Sequence, residues 1–218
     1  MSPKPHIPLE ELQAAVSACH GCTLADGRTN TVFGAGNPNA DVLIVGEAPG
    51  KNEDLQGMPF VGAAGQYLSE LLAIAGLTRE EVFIANVLKC RPPGNRDPRP
   101  EEIQACTPFL REQTRTIDPR IIVTLGNFAT KFILKTDQGI TRLRGRAYQA
   151  GKFIVFPVYH PAAAIYDRMK REVLEGDFVS LGELLRRQNA AAPAATAVPA
   201  TATTPAASAE DQASGGAL

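Results

Sequence analysis

Four short apolar runs recur along the chain, and they narrow what it can fold into more than any other feature. They are Asp41-Val42-Leu43-Ile44-Val45-Gly46, Val82 to Leu88, Ile121-Ile122-Val123-Thr124-Leu125 and Lys152 to Val158. Runs of this length, rich in Val and Ile and bounded by turn residues, read as strands buried on both faces. Between them lie stretches with helical spacing. Gly62 to Gly76 places Leu68, Leu71, Leu72 and Ala75 on one side, Glu101 to about Thr116 and Asn127 to Leu134 follow, and a last helical region reaches about Gln188. Pro8 opens a first helix with Leu9, Leu12 and Val16 on one face, and Thr78-Arg79-Glu80-Glu81 has the form of a capping box before the second strand. Strands separated by helices predict an α/β fold, a three-layer αβα sandwich with a central, mainly parallel four-stranded sheet.

In that architecture the site lies where loops converge at the carboxyl ends of the strands. Gly46-Glu47-Ala48-Pro49-Gly50 follows the first strand, Asn86 lies near the end of the second, Gly126-Asn127 follows the third and His160 the fourth. A chain of 218 residues with 44% apolar content can bury one ordinary core. From Asn189 the sequence collapses into Ala, Pro, Thr, Ser and Gly, which cannot bury enough surface to offset ordering entropy. The expected organisation is one domain over residues 1–188 and a disordered tail over 189–218. A formal net charge of -1 gives no global basic field, so a polyanion would be met by local clusters of Arg and Lys.

No apolar run approaches the length that crosses a bilayer, and Met1 to His6 lacks the apolar region of a secretory signal. The reading is therefore a soluble, intracellular protein of the cytoplasm, and in that reducing compartment cysteines serve as metal ligands or reactive thiols rather than disulfides. There are four: Cys19 and Cys22 as a Cys-x-x-Cys pair after a helix, Cys90 just past a strand, and Cys106 inside a helix. Four thiolates suit tetrahedral zinc or an iron–sulfur cluster, and the ligand count does not separate them. Ligands spread over separate loops suit the larger cube better than two tight knuckles. The bland alternative for Cys106 is a core position.

The loop after the first strand and Gly57-Met58-Pro59-Phe60-Val61-Gly62 combine small residues and prolines, which let a backbone approach a ligand closely. With Asn86 and His160 the set suits a nucleobase. A side-chain amide pairs with the O4 and N3–H of uracil and mismatches the amino group of cytosine. Phe60 can stack on the ring, and His160 can donate to the O2 oxygen as the base leaves. Each residue also has a plain structural reading: a turn cap for Asn86, core for Phe60, a local hydrogen bond for His160.

Taken together, Gly46-Glu47-Ala48-Pro49-Gly50, Pro59-Phe60-Val61-Gly62, Asn86-Val87-Leu88-Lys89-Cys90-Arg91-Pro92-Pro93 with Asn95-Arg96, His160-Pro161-Ala162 and the four cysteines resemble the family 4 uracil-DNA glycosylases, over roughly Leu12 to Gln188. The resemblance implies a hydrolase of base excision repair that flips a uracil nucleotide out of DNA and cuts its N-glycosidic bond. It implies a 4Fe-4S cluster on Cys19, Cys22, Cys90 and Cys106, a substrate pocket of Ala48, Phe60 and Asn86, and His160 assisting departure of the base. Glu53 is the nearest match to the carboxylate that handles water, with Glu47 its competitor. Where better-known relatives place a helix-wedging Leu, four residues after His160, this chain has Ala164, so Ile165 or Tyr166 would take over the wedge.

The expected partner is uracil-containing DNA, single- or double-stranded, bound by a monomer with no membrane attachment. Phosphate contacts are expected from Arg91 and Arg96 near the cluster, Arg144 before the last strand and Arg168 after His160. Two rivals come from other classes. A binder of the same superfamily traps uracil-DNA covalently through a His in the loop after the second strand, but Arg91 to Pro100 contains no His. A plain iron–sulfur regulatory protein would make the pocket residues coincidental.

Overall fold

The structure, a computed structural model, describes residues 7–191. Helix α1 (Leu9–Ser17) leads through an irregular segment to a short strand β1 (Ala35–Gly36) and the first long strand β2 (Val42–Gly46). Helices α2 (Lys51–Gln56) and α3 (Ala63–Ile74) precede β3 (Phe83–Asn86), and α4 (Pro100–Ile117) precedes β4 (Ile121–Leu125). Helices α5 (Gly126–Leu134) and α6 (Ile140–Leu143), strands β5 (Tyr148–Ala150) and β6 (Phe153–Val158), and helix α7 (Arg168–Ala191) complete the order. The expected tail begins inside the end of α7, and beyond Ala191 it lies outside the described residues.

The sheet runs β1-β3-β2-β4-β6-β5. Its inner pairs are parallel, whereas β1 joins β3 and β5 joins β6 antiparallel. This corrects the expected four-stranded, mainly parallel sheet: there are six strands of mixed direction. The four apolar runs are the four inner strands. The two edge strands span only two and three residues and are partly exposed, so they carry no apolar run to read. Short edges of this kind also offer little open ladder to another chain.

Alternation along the inner strands builds three layers. Val42 and Ile44 of β2, with Ile121 and Val123 of β4, pack against Leu68, Leu71 and Leu72 of α3 and Leu174, Phe178 and Leu181 of α7. Leu43, Val45 and Ile122 face the other way, onto Leu12 and Val16 of α1, Leu110 and Ile117 of α4 and Ala129 of α5. Because β3 and β4 flank β2 on opposite sides, the chain reverses its direction of winding there, which opens a crevice at the carboxyl ends.

The stretch read as one long loop after β2 contains α2. Gly57, at φ 70, ends it in the left-handed region that a side chain rarely adopts. Helix α4 starts on Pro100 at its first turn, and Glu102 reaches back to accept from the Arg99 amide at 2.8 Å.

Candidate active site

A cavity of about 460 Å³ opens at the crevice, lined by Glu47, Ala48, Pro49 and Gly50 after β2, Glu53 of α2, Phe60, Asn86 at the end of β3, and His160 and Ala162 after β6. The substrate-pocket and catalytic candidates read from the sequence therefore meet in one place. The loop after β3 adds Pro92, Asn95, Arg96 and Asp97. Asp97 was missed, since its arginine neighbours drew the reading toward phosphate. A second groove of about 610 Å³ shares Glu47, Asp97 and His160 and continues past Gly126 to Lys131 and Lys135 on and after α5, two cations that no motif marked.

Asn86 is 2% exposed, and its Oδ1 is the buried side-chain polar atom among the described residues that has no hydrogen-bond partner. A buried acceptor left so costs about 1–3 kcal/mol, which a ligand N–H at that point would recover. Room for the amide comes from Gly46: a Cβ there would collide with Asn86 Oδ1 and stand 2.9 Å from Phe60 Cζ. Phe60 itself has φ 54, an uncommon backbone for an aromatic residue. It is held by Gly65 of α3, where any side chain would fall on the Phe60 carbonyl, and by Arg79, which donates to the neighbouring Pro59 carbonyl at 2.9 Å. The Phe60 and His160 rings lie 5.8 Å apart and within 28° of parallel.

His160 accepts a hydrogen bond on Nδ1 from the Ala162 amide at 3.1 Å. Burial pulls its pKa down to about 4, partly countered by Glu53. The ring is thus neutral near pH 7, and with Nδ1 accepting, its proton sits on Nε2. The two carboxylates differ in surroundings. Glu53 Oε1 accepts from the amides of Val61 at 3.0 Å and Gly62 at 3.1 Å, bracing the Phe60 turn at the start of α3. Glu47 has its pKa raised above the ordinary value, first by burial and then by the charge of Asp97.

The four cysteines gather at a separate small cavity, together with Arg28, Lys89 and Phe109. Donors converge on their sulfurs: Arg28 Nη1 donates to Cys90 Sγ at 3.4 Å, the Lys89 amide to Cys106 Sγ at 3.2 Å, and the Gly21 amide to Cys19 Sγ at 3.4 Å. Burial pushes the Cys106 thiol up to about 11, so its deprotonation calls for a strong cation. Among the described residues, no three His, Cys, Asp or Glu side chains are gathered into a single-ion site. Four sulfurs around a cavity, from α1's end, the loop after β3 and α4, match the wider ligand shell of a cluster.

Three of the four arginines expected on DNA are ion-paired within the fold. Arg96 pairs with the buried Glu102 at 2.5 Å, Arg144 forms a forked pair with the buried Asp177, and Arg168 meets Glu172 at 3.1 Å on the exposed face of α7. Arg91 donates from Nε to Asn95 Oδ1 at 2.7 Å beside the pocket mouth. After His160, Ala164 is 1% exposed and belongs to the core, while Tyr166 is 97% exposed.

The fold and site define an α/β pocket protein built to hold a flat, polar ring beside a neutral histidine and a carboxylate. The family model described as the uracil DNA glycosylase superfamily matches residues 33–179. A type-4 uracil-DNA glycosylase of Sulfurisphaera tokodaii is 49% identical over 185 residues, 81% of this chain and 84% of that protein. One from Archaeoglobus fulgidus is 47% identical over 81% of this chain and 92% of its own length. A type-5 uracil-DNA glycosylase of Pyrobaculum aerophilum is 32% identical over 70% of this chain and 72% of that protein. The chain belongs to the uracil-DNA glycosylase superfamily and, within it, to the type-4 family.

Proposed function

We propose that the chain removes uracil from DNA by hydrolysing the N-glycosidic bond of a flipped-out nucleotide, the opening step of base excision repair. The observation that carries this reading is the orphaned Asn86 Oδ1, buried at the edge of a cavity whose other walls are Phe60 and His160. A nucleotide rotated out of the stack, at a cost of a few kcal/mol, would present uracil to that amide. The N3–H then donates to Oδ1 while the amide NH₂ donates to O4, and the Phe60 ring covers one face. Cytosine presents an acceptor at N3 and a donor at N4, so it leaves Oδ1 unfilled and opposes the NH₂ with an amino group.

Bond cleavage leaves an oxocarbenium-like sugar and a uracil anion. The neutral His160 donates from Nε2 to O2 of the departing base, with the backbone around Ala48 as a further wall. Glu47 is the better-placed carboxylate to orient water, since its raised pKa suits a base and Glu53 is engaged by two amides. Glu53 then acts by holding the turn that carries Phe60. For the DNA path, Arg91, Lys131 and Lys135 lie beside the pocket and its adjoining groove. The ion-paired Arg96, Arg144 and Arg168 would reach phosphates only by sharing or leaving their carboxylates. Tyr166, rather than the buried Ala164, suits the role of wedge.

The four cysteines would hold a 4Fe-4S cluster whose contribution is to tie the end of α1, the loop after β3 and α4 together. Among the described residues no helix is long and apolar enough to cross a membrane, and a cytoplasmic setting accords with the free thiols and the DNA substrate.

Asn86→Asp tests the recognition step. Replacing the NH₂ donor by a second acceptor should lower uracil excision by about 100-fold or more and shift preference toward cytosine, as a lost polar match in a buried site does. Unchanged uracil excision in that variant would refute the hydrogen-bond reading.

A further inference from the structure

Lys89 is 1% exposed, among the largest fully buried side chains of the described residues, and the chemistry of uracil removal makes no use of it. Its Nζ donates to the Asn86 carbonyl at 2.8 Å and to Gln113 Oε1 at 2.6 Å. Gln113 is itself buried, and its orientation is locked because Nε2 donates to the Phe33 carbonyl at 2.8 Å, leaving Oε1 for the lysine. The main chain of Lys89 is held as well: its amide donates to Cys106 Sγ at 3.2 Å and its carbonyl accepts from the Val32 amide at 2.7 Å.

An ammonium buried between two neutral acceptors is poorly compensated, and a carboxylate is absent from its partners among the described residues. The cysteine site adjoins it through the main chain, where the Lys89 amide meets Cys106 Sγ. The ammonium grips the carbonyl of the residue whose side chain faces the uracil pocket. Asn86 is the last residue of β3, and its carbonyl takes this side-chain donor. A charged donor makes that bond shorter and stronger than a neutral one.

We propose that Lys89 is a positioning residue for uracil recognition, linking the thiolate site at Cys106 to the backbone of Asn86 and so fixing the direction of the Asn86 amide. The main chain of Lys89 rests on Cys106, and its ammonium holds the end of β3. Uracil selectivity thereby depends on the cysteine site without either the lysine or the cysteines touching the base. The inference rests on the uracil reading of the pocket.

The test uses Lys89→Met and Gln113→Met in the full-length, iron-loaded protein. Five quantities are read: iron content, melting temperature, affinity for free uracil by calorimetric titration, the ratio of uracil to cytosine excision, and affinity for an undamaged oligonucleotide. In both variants uracil affinity should fall tenfold or more, and the ratio of uracil to cytosine excision should narrow, while oligonucleotide affinity and iron content stay at wild-type levels. A variant that is merely less stable would lower its melting temperature and leave uracil affinity and the excision ratio unmoved. Should Lys89→Met fail to retain iron, Gln113→Met decides, because the side-chain hydrogen bonds of Gln113 go to Lys89 and Phe33 and to no cysteine. Wild-type uracil affinity and selectivity in an iron-loaded variant overturn the inference. A wild-type protein that neither binds nor excises uracil defeats the functional reading instead, a distinguishable result.

Discussion

Asn86, His160 and Glu47 each carry a departure from ordinary side-chain chemistry: an unfilled buried acceptor, an imidazole neutral well below pH 6, and a carboxyl that holds its proton to higher pH than usual. The last two have opposite consequences on acidification. His160 stays neutral until about pH 4, so it does not set the acid limb of activity above that point. In its proposed role Glu47 is ionised when it orients water, so activity should fall as pH drops through its raised pKa. Asp97 is one of the two causes of that rise, so Asp97→Asn should move the acid limb of kcat/KM to lower pH. A limb that stays put, or a wild-type inflection near the ordinary histidine value, would contradict the assignment. The pocket trio Phe60, Asn86 and His160 was legible as pocket lining because Phe60 follows Pro59 in a stretch of small residues and prolines, Asn86 is a lone polar side chain in an apolar run, and His160 precedes Pro161 just after the last run. Asp97 was not, since a lone carboxylate in an arginine-rich loop looks like solvated surface. Lys89 did leave a trace, a charge within the apolar run before Cys90, that motif reading passed over.

At the scale of elements, the inner strands and the long helices were readable because burial on both strand faces and on one helix face writes a period into the chain. Helix α4 was expected from Glu101 and begins at Pro100; β4 was expected over Ile121–Leu125 and spans it. The edge strands β1 and β5 and the six-residue α2 bury too little to write such a period. Their formation follows from pairing with β3 and β6 and from the left-handed Gly57 stop. Glu53 illustrates the consequence: placed in a loop by sequence, it proves to be a helical residue whose carboxylate braces the next helix. The segment after β6 is where element and DNA meet. Its short helical turn buries Ala164 and leaves Tyr166 projecting, which favours the tyrosine as the group that fills the gap when a nucleotide flips. Tyr166→Ala should therefore slow excision from duplex DNA by about tenfold, roughly 1.4 kcal/mol in activation free energy, and spare single-stranded substrate, where no stack is opened. Equal loss on both substrates would assign Tyr166 another role.

At the scale of the molecule, a reversal of winding at β2 makes the crevice, segments after β2, β3 and β6 furnish the pocket walls, and the four cysteines gather in a separate cavity from the segment after α1, the loop after β3 and α4. The cavity of the four cysteines and the pocket are separate, joined through the five residues from Asn86 to Cys90. The absence of a His from Arg91 to Pro100 argues against covalent trapping. The most direct test is to incubate the purified, iron-loaded protein with an oligonucleotide containing a single uracil and then treat it with hot alkali. The account predicts strand cleavage at the uracil position and none in a thymine control; an intact strand, or a heat-stable protein–DNA adduct, would contradict it.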